Sequence, residues 1–210
     1  RREYELTKHV SLSMLDPMAL IRLRTTGICD FEIPEALYDM DHPGQYFRRL
    51  KSVSVSIPCI VGPYTSVSAK LTLIKSRYRY KADSVGSYPE DPNNRNDDHR
   101  FKYTLGAIQS IATSHGQNDS GMFELNFRDE RYLPFEYAGA ISTWRLELPD
   151  PNLMPQFDYN TISDVLLHVK YTAREGGKLL KDVANLALKK QLNAIKQSST
   201  ELGLHHIIDL

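Results

Sequence analysis

Apolar and polar residues alternate with a period of two in several stretches of the chain, the pattern a half-buried β-strand requires. In "FRRLKSVSVSIP" the residues Phe47, Val53, Val55 and Ile57 fall on one face, with Ser52, Ser54 and Ser56 on the other. "SVSAKLTLIK" repeats the pattern with Val67, Ala69, Leu71 and Leu73. Between these two runs "PCIVGPYTS" supplies Pro58, Gly62 and Pro63, a broad connection rather than a two-residue hairpin, and the runs are expected to be adjacent antiparallel strands. Further candidates are "GAIQSIATS", "GMFELNF" with Phe123, Leu125 and Phe127 in phase, and "AISTWRLEL" with Trp144, Leu146 and Leu148 in phase. In "SDVLLHVKYT", Val165, Leu167, Val169 and Tyr171 should point inward and His168 and Lys170 outward. Six or seven strands separated by turn signals, with no helical pattern between them, predict a mainly β fold: an antiparallel β-sandwich of jelly-roll type.

The two ends read differently. Tyr4, Val10, Met14, Leu15, Met18 and Ile21 lie near helical spacing, interrupted by Asp16-Pro17. Asp16 can cap and Pro17 can open a first turn, so the spacing predicts a helix, a break, and a second short helix ending before Gly27. After a hinge at Gly176-Gly177, "KLLKDVANLALKKQLNAIKQ" gathers Leu179, Leu180, Val183, Leu186, Leu188, Leu192 and Ile195 on one broad helical face. The expected division is a helical lead-in over 1–27, packed on a preceding chain, a sandwich over 28–177, and a helix and tail over 178–210. That tail would be ordered only if Ile207, Ile208 and Leu210 dock. The stretch from Lys81 to Arg100 is polar and turn-rich and reads as a long loop.

Composition removes several function classes. The 26 basic residues match 26 acidic ones, so no overall field recruits nucleic acid or an anionic membrane. Cys29 and Cys59 lack metal or redox spacing and read as free, buried thiols. No apolar run approaches the roughly 18 residues of a membrane span, and no leader pattern is present. The chain starts at Arg1, as a fragment or processed piece of a larger protein would.

Candidate chemistry is thin. His115, Asp119 and Ser120 could supply base, orienter and nucleophile, but without a G-x-S-x-G elbow "SHGQNDSG" reads as a polar strand connection. Glu124, Asp129, Glu130 and Glu136 could supply paired carboxylates for a glycosidase, although Arg128-Asp129-Glu130-Arg131 reads more simply as compensating ion pairs. Asp91, Asp97 and Asp98 with Asn93, Asn94 and Asn96 invite a calcium reading, yet the spacing of a calcium loop is absent. In "KSRYRYK", Arg77, Arg79 and Lys81 with Tyr78 and Tyr80 could hold single-stranded nucleic acid; a strand edge with one charged and one tyrosine face explains the same letters. Trp144, in phase with Leu146 and Leu148, belongs to the core. The residues define a non-enzymatic β-sandwich binding module, with no catalytic set, cofactor site or metal site, against the alternative of a lectin-like or glycosidase-like sandwich.

Long blocks add a resemblance. "RREYELTKHVSL", "GQYFRRLKSVSVSIPCIVGPYTSV", "IQSIATSHGQNDSGMFELNFRDERYLPFEYAGAIS" followed by "WRLELP", and "QFDYNTISDVLLHVKYTAREGG" closely resemble the C-terminal region of the A component (TcA) of bacterial Tc toxin complexes, from Arg1 to about Lys178. The resemblance implies a domain of a secreted or released insecticidal toxin that binds the TcB component. TcB would be met at the β-propeller of a TcB–TcC cocoon, at the top of a homopentameric translocation pore. It implies no nucleic acid partner, and membrane contact only through other parts of the parent subunit. It transfers no interface motif. Interface centres favour Tyr, Trp, Phe and Arg, which selects Arg128, Arg131, Tyr132, Phe135 and Tyr137 as partner-binding candidates.

Overall fold

Among the described residues, nine strands form two antiparallel sheets that face each other across one core. The computed structural model describes residues 2–62, 65–83, 87–90, 98–104, 106–115, 122–127, 133–153 and 155–201. In chain order these form β1 (Glu3–Ser11), α1 (Leu12–Leu15), α2 (Pro17–Thr26), β2 (Ile28–Ile33), α3 (Glu35–Asp41), β3 (Gln45–Pro58), β4 (Ser66–Arg79), β5 (Phe101–Thr104), β6 (Ile108–His115), β7 (Met122–Asn126), β8 (Ile141–Glu147), β9 (Leu166–Glu175) and α4 (Lys178–Glu201). One sheet runs β1-β9-β3-β7 and the other β2-β8-β4-β5, with β6 also paired to β4. Strands β5 and β6 lie end to end along the same long strand, Arg79↔Phe101 at one end and Ser66↔His115 at the other. Counted as one interrupted strand, they give the order 1-8-3-6 facing 2-7-4-5, which is the jelly roll.

The strict alternations land as expected except at Phe47, which the register shifts of β3 place in a second cluster with Leu180 and Ala184. Val53, Val55, Ile57, Val67, Ala69, Leu71, Leu73, Phe123, Leu125, Phe127, Trp144, Leu146, Leu148, Val165, Leu167, Val169 and Tyr171 are buried in the shared core. Three expectations need correction. First, β3 and β4 are not paired neighbours: they lie in opposite sheets, and the broad connection between them crosses the sandwich. Alternation fixes which face is buried, not which strand lies beside it. Second, the first predicted helix is the edge strand β1, paired with β9 from Glu3↔Arg174 to Ser11↔Leu166, and only its last turn, α1, is helical. Of the residues that mimic helical spacing, Tyr4, Met14, Met18 and Ile21 are exposed; Val10, Leu12, Ala19, Leu20 and Leu23 carry the burial. The lead-in therefore closes one end of this chain's own core. Its second helix is as predicted: the Asp16 carboxylate accepts from the Ala19 N–H at 3.1 Å, Pro17 follows, and Gly27 ends it at φ 76°. Third, "KSRYRYK" is a sheet edge only at its end: β8 flanks β4 as far as Arg77, β5 pairs with Ser76 to Arg79 on the other side, and a bulge between Leu73 and Lys75 switches the phase.

Both cysteines are free and buried. Burial pushes the Cys29 thiol up to about 12, with the Asp30 charge adding to it, and pushes Cys59 up to about 11, so neither is a ready nucleophile.

Helix α4 returns across the open end of the sandwich. Leu180 and Ala184 bury against Tyr46, Phe47 and Tyr88 in a second, smaller core, while Leu179, Leu186, Leu192 and Ile195 stay exposed. The residues before it are pinned rather than hinged at Gly176, whose N–H donates to the Gly44 carbonyl at 2.9 Å. Gly44 has φ 84°, and a Cβ there would meet the Lys181 backbone nitrogen at 2.8 Å. Gly44→Ala is expected to cost about 1–3 kcal/mol through this overpacking. Limited proteolysis should then cut near the start of α4 well before the sandwich is attacked. The docking of Ile207, Ile208 and Leu210 lies outside the described residues. Among those described, no helix is long and apolar enough to cross a membrane.

Candidate protein-docking surface

Tyr137 sits in the turn that leads into β8, and strand β3 holds that turn in place. The Tyr137 N–H donates to the Leu50 carbonyl at 2.9 Å, the Leu50 N–H to Ala138 at 2.7 Å, and the Ala140 N–H to Arg48 at 3.1 Å. Gly139 lets the turn approach β4: a Cβ there would lie 2.2 Å from the Arg77 carbonyl oxygen. Opposite the turn, β3 bulges between Tyr46 and Arg49. Among the described residues, the non-glycine residues with positive φ are Phe47 at 57° and Tyr137 at 70°. Left-handed backbone at a bulky aromatic costs on the order of 1–3 kcal/mol and persists only where surrounding contacts over-determine it.

Arg49 ties the two strained residues together. Its guanidinium lies 4.6 Å from the Phe47 ring centroid and 5.4 Å from that of Tyr137. Arg174 lies 3.9 Å from the Phe47 ring, and its Nε donates to Glu3 at 2.9 Å. Tyr78 packs edge-on to Phe47, Tyr80 tilts against it, and the Lys102 ammonium sits 4.0 Å over Tyr80. The result is a platform of arginines and aromatic rings at one end of the sandwich, from which Tyr137 projects with 64% of its surface exposed.

A buried ion cluster underlies the platform. Arg48, next to Arg49 on the strand, turns inward: its Nη2 donates to Asp39 at 2.7 Å and to the His42 carbonyl at 2.8 Å. Arg79 donates from Nε and Nη2 to Glu35 at 2.9 and 2.8 Å, and its guanidinium stacks over Tyr88 and Phe101. The Tyr88 hydroxyl donates to Asp39 at 2.8 Å, and the Tyr38 hydroxyl donates to the Ala140 carbonyl at 2.9 Å, linking α3 to the turn. Burial pushes the Asp39 carboxyl above its ordinary range, against the pull of Arg48. For Arg48, burial opposes the charge, but Asp39 and Glu35 outweigh it and hold the guanidinium cationic.

The predicted residues divide. Arg128, Arg131 and Tyr132 lie outside the described residues, as do Asp119, Ser120, Asp129, Glu130, the His115 side chain, and Asp91, Asn93, Asn94, Asn96 and Asp97. Tyr137 is on the surface. Phe135 is a core residue, 0% exposed, edge-to-face on Trp144 at 5.0 Å, so it supports the turn from beneath. Glu124 is exposed on the outer face of β7. Asp98 is engaged by Arg100. Arg77 pairs with Glu32 and Glu90, and Arg79 is buried on Glu35, so these cations of the tyrosine-rich run are already neutralised. Among the described residues no group of three or more His, Cys, Asp or Glu side chains is placed to hold a metal ion. Arg49 and Arg174 escaped the sequence reading, and Phe47 was expected on the inward face with Val53, since nothing in the alternation marks the bulge that gathers them.

Of the two strained residues at this arginine–aromatic cluster, Phe47 is buried beneath Leu180 and Ala184 and Tyr137 is exposed. The chain belongs to the Tc toxin complex TcA C-terminal TcB-binding domain family, whose model matches residues 1–173. The toxin subunit YenA2 of Yersinia entomophaga is 41% identical over 181 residues, which cover 83% of this chain and 13% of that protein. A cryo-EM structure of Yersinia pseudotuberculosis TcaA–TcaB aligns with a TM-score of 0.48 at 24% identity, over 83% of this chain and 10% of that one. A turnip yellow mosaic virus chain aligns with a TM-score of 0.33 at 7% identity, over 83% of this chain and 81% of that one. Both structural likenesses are distant. The chain thus spans about 13% of the length of the toxin subunit it matches.

Proposed function

We propose that this domain is a non-enzymatic assembly module of a secreted Tc toxin A subunit that binds the TcB component. Membership of the TcB-binding domain family over residues 1–173 carries this reading. The cluster of Arg49, Tyr137 and Arg174 around the buried Phe47 ring supports placing this end of the sandwich against TcB. Arginine and tyrosine are the side chains that dominate interface energetics, and here their rotamers are held before a partner arrives, which lowers the entropy lost on docking. In the full subunit five copies would ring a pore and face the β-propeller of a TcB–TcC cocoon. Avidity across the ring would make up for a modest contact area per copy.

The test is binding of the pentameric A subunit to a TcB–TcC cocoon by surface plasmon resonance. Tyr137→Gly removes the ring and also the strain at φ 70°, so stability should hold or rise while affinity per site falls about tenfold or more. Arg49→Ala should weaken binding likewise. Unchanged affinity in both variants would move the interface elsewhere on the domain; no binding by the wild type would remove the function.

A further inference from the structure

On the outer face of the first sheet, away from the platform, His9 of β1 stands directly across from His168 of β9. Their Nδ1 atoms are 2.7 Å apart, and the rings meet edge to face with centroids 4.9 Å apart. His168 Nε2 lies 2.8 Å from the hydroxyl of Ser56 on β3. The line Ser56–His168–His9 has the spacing of a nucleophile, a base and an orienter, but it lacks an oxyanion hole. Ser56 lies on a strand paired on both sides, to β9 and to β7, so the nearby backbone N–H groups are directed into ladders rather than at a reacting oxygen.

The same three side chains meet the requirements of a different site. We propose that His9 and His168 form a two-imidazole site for a divalent transition metal ion of the copper(II) or nickel(II) class, with Ser56 as its outer support. Metal–imidazole bonds are about 2.0–2.1 Å, so two nitrogens 2.7 Å apart subtend roughly 80° at the ion. That is the angle of neighbouring positions in a tetragonal complex; a tetrahedral zinc site needs nitrogens about 3.3 Å apart. The ion sits off the nitrogen–nitrogen line, and the exposed His9 ring and the half-buried His168 ring tilt about their soft outer torsion to converge on it. With His168 Nε2–H donating to Ser56, the His168 Nδ1 lone pair is free to bind. A ligating imidazole is normally fixed by such a bond from its other nitrogen.

His9 completes the pair by carrying its proton on Nε2 instead of Nδ1. Two N–metal bonds form, the Nδ1···Nδ1 hydrogen bond is lost, and between neutral imidazoles no net proton is released. Glu124 acts on His168 from β7, and Lys170 follows on β9. Solvent fills the remaining coordination positions, and the bound ion would staple the edge strand β1 to β9.

The experiment is titration of the chain with copper(II), read by visible absorption and electron paramagnetic resonance. It is done in a background with His205→Ala and His206→Ala, which removes the adjacent histidine pair of the tail. The expected result is one copper bound per chain with two nitrogen ligands and a raised melting temperature. His9→Ala should abolish this signal, and Ser56→Ala should weaken binding about 10–100-fold. Nickel should bind less tightly than copper. His9 is exposed at the sheet edge, so its variant stays folded and decides the matter even if His168→Ala does not. A copper signal unchanged in His9→Ala, or one present only with the tail histidines in place, overturns the proposal.

Discussion

Asp39→Ala is expected to lower the unfolding free energy by about 3–5 kcal/mol, because it strands a buried guanidinium. Arg48 is 2% exposed, and its other carboxylate, Glu35, is 3.8 Å away and already engaged by Arg79. Removing Asp39 also leaves the Tyr88 hydroxyl without its acceptor. For a domain of this size the melting temperature should fall by roughly 10 °C or more. The double replacement Asp39→Leu with Arg48→Met should recover most of that loss, since an apolar pair of similar volume has no charge to desolvate. Asp30→Ala is the contrast. Arg145 binds Asp30 through two hydrogen bonds at 2.7 and 2.9 Å, but both side chains are nearly half exposed, and about 1 kcal/mol or less is expected. Thermal unfolding of the four proteins in one buffer checks the set. Equal losses for Asp39→Ala and Asp30→Ala would mean that water reaches the cluster.

How far the sequence could be read depended on how regular the burial was. Strands such as β3 beyond Val53, β4 up to Leu73 and β8 alternate without interruption, and their inward faces were legible because period two has no other explanation. Strand β1 was not, since its inward positions are Leu6, Lys8 and Val10, and Lys8 reaches out to Asp41 at 2.7 Å. A charged inward residue erased the alternation, and the helical spacing of α1 and α2 further along was read back over the strand. Helix α3, two turns long, and strand β2 were missed, although Cys29, Phe31 and Ile33 of β2 alternate inward. Of the platform, Tyr137 was found through composition alone. Arg49 and Phe47 were not, because bulges at Tyr46/Arg49 and Leu50/Ser52 shift the register there, and a bulge is a property of the pairing rather than of the strand's own letters. The jelly-roll order itself rests on pairings distant in sequence, which alternation cannot report.

Phe135→Ala separates core from surface within one turn and is expected to cost about 3–5 kcal/mol, the usual loss for a buried phenylalanine. The ring is wholly enclosed and meets Trp144 edge-on at 5.0 Å, with the indole N–H held by Ser142 at 2.7 Å. Little rearrangement can fill the space, because the turn above is fixed by backbone bonds to Leu50 and Arg48 and by the tight approach of Gly139 to Arg77. Denaturant titration should show a lower midpoint with an unchanged slope, the mark of a stability change that leaves the exposed surface on unfolding unaltered. Two residues along, Tyr137→Gly should do the reverse: hold stability and weaken docking. If Phe135→Ala lost partner binding while its midpoint matched the wild type, the ring would have to leave the core on docking, and the turn would be a moving part rather than a rigid platform.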